Sequence, residues 1–356
     1  MKRTSSIAPA LLDWHAHSGR HDLPWQQQRT AYRVWVSEIM LQQTQVTTVI
    51  GYYQRFMARF PDVVALADAP LDAVLHLWSG LGYYARARNL HRAAQRVRDE
   101  FAGQFPQDFT AACSLPGIGR STAGAILAIA SDARHAILDG NVKRVLARYF
   151  VVEGATNERA VEQRLWQLAE ECTPHTDIGR YTQAIMDLGA TLCVRTKPLC
   201  ALCPLAGDCS ARRQGRQHLL PTPKKRAARR HKTCAMLIAM DGDGAVLLEQ
   251  RPARGIWGGL WCLPEFDTES AARSYAVLQL RNARVEARPL GSVHHAFTHF
   301  ALEIVPLMTR CEGLQARVAE PEAASQRSLW YNLRQPAQIG LPAPIKQLLT
   351  TLASLE

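Results

Sequence analysis

Through the first two thirds of the chain, apolar residues recur at roughly helical spacing. From Ala31 to Phe60 the positions Val34, Ile39, Leu41, Val46, Val49, Ile50 and Phe56 trace a helical face, without the alternation a strand requires. Pro61, Pro70, Pro106, Pro116 and Pro174 punctuate further helical segments, several with Asp or Ser near their starts. The texture changes after Lys232. Cys234 to Met240 is a short apolar run, Asp241-Gly242-Asp243-Gly244 a turn, and Ala245 to Leu248 a second run, which together signal a hairpin. Phe300 to Leu307 reads as a further strand and Ile345 to Leu355 as a closing helix. The pattern predicts an all-α domain over 1–212, a linker over 213–232 and an α/β domain over 233–356, with no internal repeat.

Length and composition agree. The chain has 356 residues, 47% hydrophobic and 21% charged, which is enough for two cores and excludes a disordered chain, a fibre or a small disulfide scaffold. The longest stretch of only apolar or Gly residues is Gly255 to Leu263, far short of the ~20 a membrane helix needs. Met1-Lys2-Arg3-Thr4-Ser5-Ser6 leads into Leu11-Leu12-Asp13-Trp14-His15 without an apolar h-region or a cleavage site. No secretion or membrane signal is read, so the expected compartment is the reducing cytoplasm, where the nine cysteines serve as ligands or core residues. The net charge of +11 points to a polyanionic partner. The linker region concentrates it: Arg212, Arg213, Arg216, Lys224, Lys225, Arg226, Arg229, Arg230 and Lys232 occur without one acid between them.

Four cysteines make the strongest local signal: Cys193, Cys200, Cys203 and Cys209, within residues 193–209. Such spacing suits a four-thiolate zinc site or an iron–sulfur cluster. The single CxxC and the uneven flanking gaps favour the larger object. A second signal is Leu115-Pro116-Gly117-Ile118-Gly119-Arg120-Ser121, with a helix on either side. Gly117 and Gly119 let backbone approach another chain closely, and the N–H groups opening the second helix can cradle a phosphate. This helix–hairpin–helix occupies 115–130. Asp139, just before a helix, is ordinarily an N-cap worth ~1 kcal/mol. Its sharper reading is a carboxylate at a helix mouth facing DNA. Glu38 is the only acid between Asp22 and Asp62 and sits in an apolar helix, either paired structurally or raised in pKa and suited to donating a proton.

Together these motifs resemble the adenine DNA glycosylases of the endonuclease III superfamily (the MutY family). The matching residues are Ser37-Glu38-Ile39-Met40-Leu41-Gln42-Gln43-Thr44-Gln45, Gly80-Leu81-Gly82-Tyr83-Tyr84-Ala85-Arg86-Ala87-Arg88, the hairpin, Leu138-Asp139-Gly140-Asn141 and the four cysteines. The resemblance runs over roughly residues 8 to 350. It implies excision of adenine opposite 8-oxoguanine or guanine in double-stranded DNA, by a monomer associated with the nucleoid. It also implies a 4Fe–4S cluster on Cys193, Cys200, Cys203 and Cys209. Glu38 would protonate adenine at N7, Asp139 would support the cationic sugar, and Asn141 would help hold the site. Gln43 and Tyr83 look like the intercalating residues that base extrusion needs, with Trp25 and Leu41 walling the pocket. Ser121 stands where the superfamily's lyases place a Lys; a hydroxyl forms no Schiff base, so the strand should stay intact.

The C-terminal domain resembles a Nudix fold through Trp257-Gly258-Gly259-Leu260-Trp261-Cys262-Leu263-Pro264. The acidic metal-binding helix is missing, since Ser270 to Leu280 contains no acid, which argues against nucleotide hydrolysis. By the resemblance, 8-oxoguanine recognition maps to Phe297-Thr298-His299, with Thr298 in place of the family's frequent Ser. Three rivals stand beside the main reading: an endonuclease III-like lyase acting on oxidised pyrimidines, a non-enzymatic DNA-binding protein and a Nudix hydrolase. Ser121 opposes the first, the Glu38 and Asp139 pair the second, and the missing acidic helix the third.

Overall fold

The computed structural model describes residues 7–223, 229–285, 291–297, 299–314 and 327–354. The chain forms two compact units, one made of residues up to Asp68 together with Asn89–Arg226, the other of Ala69–Arg88 together with the chain from Ala227 on.

The first unit is helical. Helix Ala31–Leu41 starts at Thr30, whose side chain accepts from the Arg33 amide, and it buries Val34, Trp35, Val36, Ile39 and Met40. It stops at Leu41; Gln43 takes a left-handed φ of 59° before helix Val46–Arg59 begins. The predicted run from Ala31 to Phe60 is thus two helices with a corner. Helix Phe109–Ser114, capped by Asp108, leads through the turn at Leu115–Gly119 into helix Arg120–Ser131. Gly117 has a φ of 80°, and a Cβ there would come within 2.8 Å of the Asn89 Cβ, so both backbone and space require glycine. Helix Arg120–Ser131 buries the small residues Ala123, Gly124, Ala125 and Ala128, and a Cβ on Gly124 would lie 2.8 Å from the Ala136 carbonyl. That close approach holds the following segment, which ends at Asp139, the N-cap of helix Gly140–Phe150. Helices Arg159–Cys172 and Ile178–Thr191 complete a core that includes Val142, Leu146, Leu165, Leu168, Ile185 and Leu188.

The second unit is built on a mixed sheet. Strand Arg230–Met240 pairs in parallel with Phe300–Arg310 along its whole length, Arg230 opposite Phe300 through Met240 opposite Arg310. The hairpin forms as the pattern predicts, with Met240 opposite Val246. Helix Glu269–Gln279, capped by Thr268, covers one face through Ala272 and Ala276. The closing helix spans Ala343–Ala353; Leu355, in the predicted range, lies outside the described residues. No helix among the described residues is long and apolar enough to cross a membrane.

Two boundaries differ from the sequence reading. Residues 69–88, predicted to belong with 1–212, group with the C-terminal residues. The cause lies in their partners. Leu75 and Trp78 on helix Leu71–Trp78 are fully buried. Ser79 Oγ accepts from the Leu341 amide at 3.2 Å, Tyr84 Oη donates to the Leu341 carbonyl at 3.2 Å, and Arg88 donates to the Gly258 carbonyl at 2.5 Å. Local spacing cannot reveal contacts across more than 250 positions. The linker is also shorter than 213–232. Arg213 ends helix Ser210–Arg213, Leu220 is buried with its carbonyl accepting from Arg148, and Arg230–Lys232 already belong to the first strand. Residues 224–228 lie outside the described residues.

Candidate active site

A cavity of about 910 Å³ opens in the first unit, and Trp25, Glu38, Leu41, Gln43, Ser121, Asp139 and Asn141 all line it. Helix Ala31–Leu41 delivers Glu38 and Leu41, and its left-handed corner delivers Gln43. Trp25, nearly buried, is fixed edge-on to the Tyr53 ring at 5.4 Å. Ser121 Oγ accepts from the Leu138 amide at 2.9 Å, so the hairpin helix holds the segment carrying Asp139. Gln42 Nε2 donates to Thr122 Oγ1 at 3.3 Å, joining the Glu38 helix to that same helix.

The two carboxyls meet different surroundings. Burial pushes Glu38 up to about 8, and the neighbouring charge of Asp139 adds to the rise. At neutral pH Glu38 is therefore a protonated acid. Asp139 is also raised by burial, but the Val142 and Asn141 amides and Arg144 all pull the other way. Its Oδ1 accepts from the Val142 amide at 2.8 Å and its Oδ2 from Asn141 Nδ2 at 3.1 Å. Arg144 in turn donates to Asn141 Oδ1 at 2.8 Å, fixing the amide's orientation. On balance burial still leaves Asp139 raised, and its charge adds to the rise of Glu38. One cavity holds an acid and a carboxylate, which is the pairing that cleaves glycosidic bonds.

Sequence reasoning missed Arg20, which also lines the cavity. Its backbone amide, Nε and Nη2 donate to Asp187 at 2.9, 3.0 and 2.5 Å, and Gln183 adds a fourth bond at 2.9 Å. Burial alone would raise the fully enclosed Asp187; the His15 ring 3.5 Å away and the hydrogen bonds from Arg20 outweigh it and hold the carboxyl below its ordinary value. No local motif links residues 167 positions apart.

Cys193, Cys200, Cys203 and Cys209 line one small cavity of about 30 Å³, between helix Gly140–Phe150 and the loop after helix Ile178–Thr191. Arg148, almost fully buried, donates to Cys193 Sγ at 3.3 Å and to the Val194 carbonyl at 2.7 Å. Burial, together with the other three cysteines, pushes the Cys203 thiol up to about 11. Four thiols around one space fit a cationic thiolate-bound group. Among the described residues no group of three or more His, Cys, Asp or Glu is placed to hold a metal ion.

Gly117 and Gly119 are in the hairpin turn and are not among the residues lining the cavity. A Cβ on Gly119 would meet nothing within 4 Å, so its surroundings are open where those of Gly117 are filled. Tyr83, Phe297 and His299 belong to the second unit; Thr298 lies outside the described residues. Tyr83 is 45% exposed. Phe297 stacks on Phe300 at 4.4 Å and touches Trp257 and His295, while His299 is exposed. Helix Glu269–Gln279 carries a single acid, Glu269.

The hairpin, its small-residue helix and the capped Asp139 define a helix–hairpin–helix base-excision protein. Residues 36–171 match the HhH-GPD superfamily base excision DNA repair proteins, and residues 235–351 match the NUDIX domain. The solved structure of a thermostable thymine-DNA glycosylase is similar over 58% of this chain and 95% of its own, at a TM-score of 0.53 and 27% identity. An adenine DNA glycosylase of Buchnera aphidicola (subsp. Acyrthosiphon pisum) is 38% identical over 95% of both chains. That of Rattus norvegicus is 36% identical over 85% of this chain and 70% of its own. The chain belongs to the adenine DNA glycosylase family, a family of DNA-repair hydrolases.

Proposed function

We propose that this chain hydrolyses the N-glycosidic bond of adenine opposite 8-oxoguanine or guanine in duplex DNA, acting as a nucleoid-associated monomer and leaving the strand intact. The observation that supports this best is that Glu38, whose pKa burial raises, lines one cavity with the hydrogen-bonded Asp139. Glu38 gives its proton to adenine N7, which turns the base into a neutral leaving group. Asp139, kept anionic by Val142, Asn141 and Arg144, stabilises the oxocarbenium-like sugar. Glu38, now a carboxylate, takes a proton from the attacking water. Ser121 offers a hydroxyl already accepting from Leu138, so no imine with the sugar forms.

The extruded base enters between Trp25 and Leu41, while Gln43 and Tyr83 fill the vacated stack. The open side of Gly119 and the first N–H groups of helix Arg120–Ser131 receive a phosphate. Phe297, Thr298 and His299 read the opposing 8-oxoguanine. Cys193, Cys200, Cys203 and Cys209 hold a 4Fe–4S cluster, which supplies redox-capable iron and a compact cationic core and no acid–base group. The deciding experiment is an assay on duplexes bearing A opposite 8-oxoguanine, G, C or T, with and without alkali. Strand breaks that appear only after alkali, and only for the first two, are expected. Breaks without alkali, with borohydride-trapped adducts, would favour the lyase reading.

A further inference from the structure

The turn from Gly80 to Tyr83 is unusual for a segment that ends in an exposed aromatic ring. Gly80, Gly82 and Tyr83 have φ values of 100°, 76° and 50°, and only the first two are glycines. A left-handed tyrosine persists where its surroundings over-determine it. The surroundings here centre on Arg86, which is 8% exposed. Its guanidinium carbon lies 5.4 Å from the Trp78 ring centroid and 5.4 Å from that of Tyr83. Nη2 of the same side chain donates to the Gly82 carbonyl at 3.1 Å and to the Leu81 carbonyl at 3.4 Å. Trp78 Nε1 donates to the Gly82 carbonyl as well, at 3.1 Å, and the Arg86 amide donates to the Tyr83 carbonyl at 2.9 Å. One planar cation therefore joins a fully buried indole, two turn carbonyls and an exposed phenol ring.

We propose that Arg86 is a positioning residue: it holds the Tyr83 ring in the orientation that enters the DNA stack, and it acts on DNA only through Tyr83. This rests on the reading of Tyr83 as a DNA contact. Burying a guanidinium in an otherwise apolar setting is unfavourable unless its hydrogen bonds are met. The Leu81 and Gly82 carbonyls accept from Nη2, and the Trp78 and Tyr83 rings flank the cation. Lysine has no planar fork to span both carbonyls and both rings. Burial lowers the guanidinium's pKa only to about 10, so it remains a cation at neutral pH and attracts the electron-rich ring faces. A ring ordered in advance loses little freedom when it is inserted, which favours binding.

The test uses the full chain and a duplex carrying non-cleavable 2′-fluoro-deoxyadenosine opposite 8-oxoguanine. Variants Tyr83→Ala, Arg86→Met, Arg86→Lys and the double Tyr83→Ala with Arg86→Met are compared for Kd. A 2-aminopurine beside the target reports insertion by its fluorescence, and thermal melting reports folding. Arg86→Met is expected to raise Kd about three- to tenfold and blunt the fluorescence change, as lost ordering of one side chain implies. Adding it to Tyr83→Ala should change neither reading, because the partner through which it acts is already gone. Arg86→Lys, which keeps charge and stem if Met destabilises the fold, should show an intermediate loss. An undiminished Arg86→Met effect in the Tyr83→Ala background overturns the inference, as does wild-type behaviour of Arg86→Lys. If Tyr83→Ala alone binds like the wild type, the reading of Tyr83 itself is wrong and the inference falls with it.

Discussion

Glu38 sits in a helix that buries Val34, Trp35, Val36, Ser37, Ile39 and Met40, so its neighbours along the helix are largely apolar. This placement raises its acid strength threshold from the ordinary 4.5 to about 8. Two outcomes follow from one titration. Base removal should decline as pH rises through about 8, where the proton donor is lost, and Glu38→Gln should nearly abolish the single-turnover rate while duplex affinity persists. The folded state binds the Glu38 proton more tightly than the unfolded chain does. Its stabilising effect is therefore full below 4.5 and is lost as pH rises through about 8. Glu38→Gln, neutral at every pH, should melt progressively higher relative to wild type as the buffer is taken from about pH 5 to about pH 9. A melting difference that ignores pH would show that the carboxyl is not desolvated. The lone acid in an apolar helix and Asp139 were both visible in the sequence; that the two carboxyls, 101 positions apart, line one cavity was visible only through the fold.

At the scale of elements, the ordinary and the chemical reading of Asp139 turn out to be the same geometry. The cap aims the Val142 amide at the carboxylate, the Asn141 side-chain amide adds a second donor, and both favour its charged form against burial. Asp139→Asn retains a good N-cap, so it should melt within about 1 kcal/mol of the wild type while losing almost all base removal. Asp139→Ala should lose the activity and in addition about 1 kcal/mol of stability, read by denaturant titration. The hairpin was legible because glycine and proline mark turns directly, and Gly117 is demanded by its backbone and by Asn89. The cysteine loop was legible in its four thiols but not in its supports: Arg148 reaches Cys193 from a helix 45 positions earlier. Anaerobically purified protein should be brown, with about four irons per chain. Cys203→Ala should reduce solubility or DNA affinity more than the chemical step, because the cysteines line a cavity separate from that of Glu38. Stoichiometric zinc without iron would overturn the cluster.

At the scale of the whole molecule, the division of labour is less simple than a catalytic half followed by a reading half. Glu38 and Asp139, the groups proposed for chemistry, belong to the first unit, and Phe297 and His299, proposed to read the lesion, to the second. Residues 69–88, with Tyr83, also belong to the second, although they precede most of the catalytic helices in the chain. Ending the chain near Lys232 would remove the lesion-reading residues and also Gly258 and Leu341, the partners of Arg88, Ser79 and Tyr84. It would uncover Leu75 and Trp78, which are fully buried in the intact chain. The truncated protein should keep its catalytic pair and excise adenine, but melt lower and lose its preference for 8-oxoguanine over guanine. A lost hydrogen bond with its apolar contact amounts to ~1–3 kcal/mol, roughly ten- to hundredfold in discrimination. The double substitution Phe297→Ala with Thr298→Ala separates the two losses, since it leaves Leu341 and Gly258 in place. It should reproduce part of the lost discrimination with little change in melting. Single-turnover rates and affinities on both duplexes, measured beside thermal melts, distinguish the outcomes. Full discrimination in the truncated chain would move lesion reading to Gln43 and Tyr83. A truncated chain that melts like the intact one would show instead that residues 69–88 find new partners once Gly258 and Leu341 are gone.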